Sequence, residues 1–187
     1  KRKERGLKMR PVDEIIVHCT ATPRGREVTV DDIRRWHVGG NGWSDIGYHY
    51  VIYADGSVHP GRSLERQGAH CRGHNARSVG IAYVGGLLED GRTPADTRTD
   101  AQKQSLVRLI GSLKKQFPDA VVCGHGDFAA KACPCFDARR EYAKLGVLAL
   151  LLLMCLTGCT ASRVAHRDNA LVTTDRSVDL SRIADSL

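Results

Sequence analysis

The 187-residue sequence has no internal repeat, no Cys-x-x-Cys pair and no His-x-His unit, and its first residues carry no apolar run that would read as a secretory signal. Aromatic residues make up 5%, against 42% in the hydrophobic set and 26% charged. This balance belongs to a soluble globular chain, and it excludes wholesale disorder, collagen-like repeats and a multi-span membrane protein. The length suits one domain with appendages and is too short for two full domains. The formal charge of +7 is unevenly spread. Residues 1–10 (KRKERGLKMR) hold six Lys/Arg and one Glu, a net +5 that leaves about +2 for everything after them. A dedicated nucleic-acid-binding domain carries its positive charge on the folded surface, so no nucleic-acid partner is expected.

Four regions follow from composition. Residues 1–10 form a basic tail, and residues 11–144 mix strands and helices over a length that can bury a full core. Residues 145–161 begin as an almost purely apolar run, LGVLALLLLMCL, and end near Leu156-Thr157-Gly158-Cys159. The run stands at the lower edge of a membrane span, so it is a candidate membrane anchor, a lipobox-like signal or a fused reading frame, with a buried core helix as a further alternative. Residues 162–187 read as a flexible polar tail.

Within residues 11–144 the local signals alternate. Residues 13–20 (DEIIVHCT) hold a β-branched run that reads as a buried strand. Thr29 reads as the N-cap of a helix with Asp31 and Asp32 in its first turn, followed by Ile33, Trp36 and His37 and ended by the glycines at 39–42. Trp36 is expected in the core, and His37, His49 and Tyr50 are read as structural or solvent-facing. Residues 47–54 form a second strand, and Asp55-Gly56 is a hairpin signal before residues 57–59. Residues 78–84 are a third strand. Thr99 and Gln102 make a capping box for a helix with Leu106, Leu109, Ile110 and Leu113 on one face. Residues 120–123 are a short buried strand, and residues 136–144 a last helix. This order argues for an α/β single domain, with a central mixed β-sheet flanked by helices.

The chemistry-bearing residues are few. His18 stands in an apolar strand, where a lone histidine is more often a satisfied core residue than a ligand. His125, in Cys-Gly-His-Gly-Asp (123–127), follows a strand end, a usual place for a site residue. Eight residues later Cys133 precedes Pro134, whose stiff backbone suits a ligand that must not move. Two imidazoles and a thiolate suit zinc, and three protein ligands leave a fourth position open, the catalytic arrangement. From spacing alone a structural zinc site using Cys133 and Cys135 fits equally well. With no export-signal pattern ahead of them, the cysteines are read as ligands or core before disulfides.

Four stretches raise the specificity: IIVHCTAT (15–22), RRWHVGGNGWSDIGYHYVIYADG (34–56), GAHCRGHNARSVGIAYVGG (68–86) and GHGDFAAKACPCFD (124–137). Together, in this order, they resemble the type 2 N-acetylmuramoyl-L-alanine amidases, a family that includes phage amidase-type lysozymes and animal peptidoglycan recognition proteins. The resemblance implies that fold, a Zn2+ cofactor, peptidoglycan as substrate, and hydrolysis of the amide between N-acetylmuramic acid and L-alanine. Position by position it implies His18, His125 and Cys133 as metal ligands, Tyr48 and Lys131 as catalytic residues, and His70, His74 and Asn75 as candidate substrate contacts. Cys19 and Cys135 depart from the family pattern, where serine is expected, and Cys135 stands as a competitor for the metal. The rival expectation is a non-catalytic peptidoglycan-binding module, which would lack the cysteine ligand. A monomer is expected. So is a cytoplasmic-face location in the producing cell, anchored if 145–161 spans the membrane, with action on the cell wall in the manner of an endolysin.

Overall fold

The computed structural model describes residues 9–145. The basic tail up to residue 8, the apolar run from residue 146 and the polar tail lie outside the described residues. No helix among the described residues is long and apolar enough to cross a membrane.

The chain begins with β1 (Glu14–Cys19) and β2 (Thr22–Pro23), followed by α1 (Val30–Arg35), β3 (Tyr50–Ile52) and β4 (Val58–Pro60). Then come β5 (Ser78–Tyr83), β6 (Gly86–Leu87), α2 (Asp100–Gln116), β7 (Val121–Gly124) and α3 (Ala138–Tyr142). Five strands make one sheet in the order β4-β3-β5-β1-β7. Its β3-β5-β1-β7 portion is parallel, and only β4 runs antiparallel, through the Asp55-Gly56 hairpin. The sheet is therefore mixed, as expected. The pair β2-β6 forms a separate parallel ribbon whose two-residue strands leave no periodic trace in the sequence.

β1 is an interior strand, flanked by β5 and β7, and both its faces must be covered. Alternation decides which residue goes where. Ile15, Val17 and Cys19 face a core shared with Val79, Ile81 and Tyr83 of β5 and Leu106, Ile110 and Leu113 of α2. Each of these large side chains contributes about 1.5–3 kcal/mol on burial. Ile16 faces the other way, against Cys71, Cys123 and Phe128, and His18 shares its side. The face without α2 thus carries the strand histidine.

α2 is capped as the sequence indicates: Thr99 accepts from the Gln102 N–H, and the Gln102 side chain accepts from the Thr99 N–H. The rest of the buried Gln102 amide donates to the carbonyls of Ile52 and Val84, tying the helix start to β3 and the end of β5. α1 has the same reciprocal cap between Thr29 and Asp32.

Two expectations need correction. Trp36 is not core but 40% exposed. Trp36 closes α1 where the helix passes into a π turn over Trp36–Gly40, and its ring lies outside the core with the Arg26 guanidinium over it. The last helix is also shorter than residues 136–144. Asp137 caps it by accepting from the Arg140 N–H, so Phe136 falls outside. Its ring instead lies 3.2 Å beneath the guanidinium of Arg98, which also binds Asp96, Glu141 and the Tyr142 hydroxyl.

Candidate metal centre and active site

Parallel pairing of β1 with β7 sets Val17 opposite Gly124, so the next residues stand side by side, His18 still within β1 and His125 just past the end of β7. Their ring centroids are 4.6 Å apart. The centre stands at the carboxyl ends of parallel strands, where ligands of α/β sheets are generally met. The loop after His125 then turns back. The Gly126 N–H donates to the Cys133 carbonyl at 2.6 Å, and a Cβ at Gly126 would come within 2.7 Å of the Lys131 oxygen, so only glycine lets the loop close. The Tyr83 hydroxyl donates to the Pro134 carbonyl at 2.7 Å and holds the turn beside β5.

This closure brings His18, His125 and Cys133 together: one ligand atom from each lies within 4.8 Å of the others. The protonation chemistry suits a divalent metal, which needs bare imidazole nitrogens and a thiolate. Burial pushes the His18 pKa well below its ordinary value, helped by His70, His125 and Lys131. Burial and Lys131 lower that of His125. Contact with the Cys19 thiol, reinforced by the Cys19 N–H, holds Cys133 below the usual thiol range although burial opposes it. The Cys135 sulfur turns away: it donates to the Gly86 carbonyl at 3.2 Å and lies 4.0 Å from the Cys19 sulfur. Burial pushes its thiol up to about 12, so it is a poor competitor for the metal.

Tyr48 stands beside the centre, its ring 5.2 Å from that of His18. Burial, with Cys133 and Cys19 close by, raises its pKa, so the phenol keeps its proton at neutral pH. Lys131 is exposed, close enough for its charge to act on both histidines, and with His125 it borders a cleft of about 520 Å³.

The candidate substrate contacts separate. Asn75 borders the cleft, but its side-chain oxygen is engaged by the N–H groups of His70 and Cys71. His74 turns to Glu14 at 2.9 Å and packs at a tilt against Phe128, with ring centroids 3.9 Å apart. His70 is 8% exposed and approaches His18, with 3.1 Å between His70 Nδ1 and His18 Nε2. His37 and His49 are structural: the Gly47 N–H donates to His37 Nδ1, and the Gly80 N–H to His49 Nδ1. Tyr50 is half-buried against the main core. Three cleft residues escape a reading by motif chemistry, namely Trp43, Arg72 and Phe128. The one available signal is a large aromatic, Trp43, set in the glycine-rich loop GGNGWS.

The family described as N-acetylmuramoyl-L-alanine amidase matches residues 8–136. The endolysin of Klebsiella phage KP32 is 43% identical over 137 residues, covering 73% of this chain and 89% of that protein. The endolysin of Escherichia phage T7 is 42% identical over 132 residues, covering 71% and 86%. Among solved structures, the N-acetylmuramoyl-L-alanine amidase LysC from Clostridium intestinale URNW superposes with a TM-score of 0.61 at 28% identity, covering 74% of this chain and 87% of that one.

Proposed function

The chain belongs to the N-acetylmuramoyl-L-alanine amidase family, and we propose that it cuts the amide joining N-acetylmuramic acid to L-alanine in peptidoglycan, as an endolysin-like enzyme with zinc held by His18, His125 and Cys133. The observation that carries this reading is the meeting of those three side chains, far apart in sequence, at the edge of an open cleft.

The donor set fits zinc, which is borderline-soft and takes imidazole with thiolate. Bound there, zinc supplies Lewis acidity toward an amide carbonyl and makes a water acidic enough to ionise near neutral pH. The protein's own groups do the rest. Attack on an amide builds negative charge on the carbonyl oxygen, and Lys131 at the cleft edge provides a fixed positive charge against it. Tyr48 keeps its proton and so presents a hydrogen-bond donor on the His18 side.

The reading is tested by incubating the full-length protein with purified cell-wall sacculi, with and without a chelator. The expected outcome is release of soluble stem peptides with a free L-alanine amino terminus, stopped by chelation and restored by zinc. Co-sedimentation with sacculi and no release would favour the binding-module alternative. Release that chelation leaves unchanged would contradict the zinc assignment.

A further inference from the structure

We propose that His70 is a positioning residue for His18, fixing which nitrogen of that ring is presented to the metal; this rests on the zinc-amidase reading above. A metal ligand must offer a bare nitrogen, and each neutral imidazole carries one proton. His18 turns Nε2 toward His70 Nδ1 at 3.1 Å. With Nδ1 bare for the metal, the His18 proton sits on Nε2 and is donated to His70 Nδ1. His70 must then carry its own proton on Nε2, where the Ser78 hydroxyl oxygen stands ready to accept at 3.3 Å. With the metal on His18 Nδ1, the chain Ser78–His70–His18 has one consistent arrangement of protons, in which His70 accepts the Nε2 proton and holds the ring in the metal-binding tautomer. It also leaves no ring nitrogen of His70 for substrate.

The surroundings are shaped for this ring. A Cβ at Gly80 would meet two carbons of the His70 ring at 2.5 Å, and one at Gly68 would meet its Cδ2 at 2.5 Å. Gly80 pairs with Ile16 in the β1–β5 register, two residues before His18, so the slot opens on the face that carries the ligand. The Asn75 side-chain oxygen accepts the His70 N–H at 2.8 Å and pins the backbone that delivers the ring. Two absent side chains and one turn cap thus aim a buried imidazole at a metal ligand.

The test compares His70→Asn with His70→Gln in the full chain. The asparagine amide falls near the Nδ1 position and keeps an acceptor for His18. The glutamine amide falls near the Nε2 position, which keeps the Ser78 contact and loses His18. The readout is zinc affinity by competition with a chromophoric chelator, together with the visible spectrum of the cobalt(II)-loaded protein. Expected is zinc affinity within about threefold of the wild type for asparagine, and 10–100-fold weaker with an altered cobalt spectrum for glutamine, the range typical of a lost ligand partner. A purely structural role would move both variants alike, and equal zinc affinities for the two would overturn the proposal. A wild type that binds zinc alongside equal variants removes only the role of His70. A wild type that binds no zinc removes the zinc reading beneath it as well.

Discussion

The N–H of Cys19, the last residue of β1, donates to the sulfur of Cys133 at 3.2 Å across a sequence separation of 114. One strand end thus performs two tasks: residue 18 supplies an imidazole, and residue 19 steadies the sulfur proposed to share the metal with that imidazole. The neighbouring thiol of Cys135 is engaged elsewhere.

Cys133→Ser is accordingly expected to lose stoichiometric zinc and the bulk of amide hydrolysis. Cys135→Ser is expected to keep one zinc per chain and activity within about threefold of the wild type, since the serine hydroxyl can still donate to the Gly86 carbonyl and the side chain points away from the ligand atoms. Metal analysis of the two purified variants beside a sacculus assay checks both. Equal zinc loss in the two would show that the sulfurs share the metal.

Lys131→Ala removes a charge that matters only as the carbonyl oxygen becomes negative. It is expected to lower kcat by about 10²–10³-fold with little change in KM. Tyr48→Phe removes a proton-bearing group and is expected to cost about 10²-fold or more in kcat. Steady-state kinetics on a soluble muropeptide, with zinc content measured alongside, separates these losses from loss of metal. A rise in KM with kcat unchanged for Lys131→Ala would assign that residue to ground-state binding instead.

His49 gives the fold a pH dependence of definite sign. Burial pushes its pKa down to about 4 from 6.5, and the charges of Arg10 and Arg62 add to this against the opposing Arg66 carbonyl. Between those values the unfolded chain holds a proton that the folded chain does not. Stability is therefore full above pH 6.5 and falls as the pH drops toward 4, by up to about 3 kcal/mol from this residue. His49→Asn keeps an acceptor near Nδ1 and cannot titrate. Urea midpoints of the metal-free proteins at pH 7.5, 6 and 5 are expected to fall more steeply for the wild type than for the variant. Parallel lines would contradict the assignment.

Arg98 is a structural counterpart to the centre. Its side chain is 2% exposed, bridges Asp96 to Glu141 and covers Phe136, just past the turn that carries Cys133. Both carboxylates are partly exposed and can rehydrate, so Arg98→Met is expected to cost about 2 kcal/mol, below the 3–5 kcal/mol typical of breaking a fully buried pair. The urea midpoint measures this, and zinc stoichiometry is expected to hold.

What the sequence discloses depends on whether the signal is local. The β-branched run of β1 and the Thr99–Gln102 capping box are local devices, and each marks its element within a residue or two. The π turn after Arg35 is not signalled, because Ile33, Trp36 and His37 keep an ordinary helical spacing in the sequence. β2 and β6 are too short for any period. His18, His125 and Cys133 are each ambiguous alone, and only four motifs in register make them a set. The contact of His70 with His18 joins residues 52 apart, and its one advance sign is a pair of glycines whose reason appears only when the ring is seen between them.

The most direct test of the metal centre is X-ray absorption at the zinc edge of the protein purified without added metal. The expected spectrum fits two nitrogen ligands and one sulfur, at about 2.0–2.1 Å and 2.3 Å, with one further light atom. A first shell with two or more sulfurs, or with none, would contradict the His18–His125–Cys133 assignment.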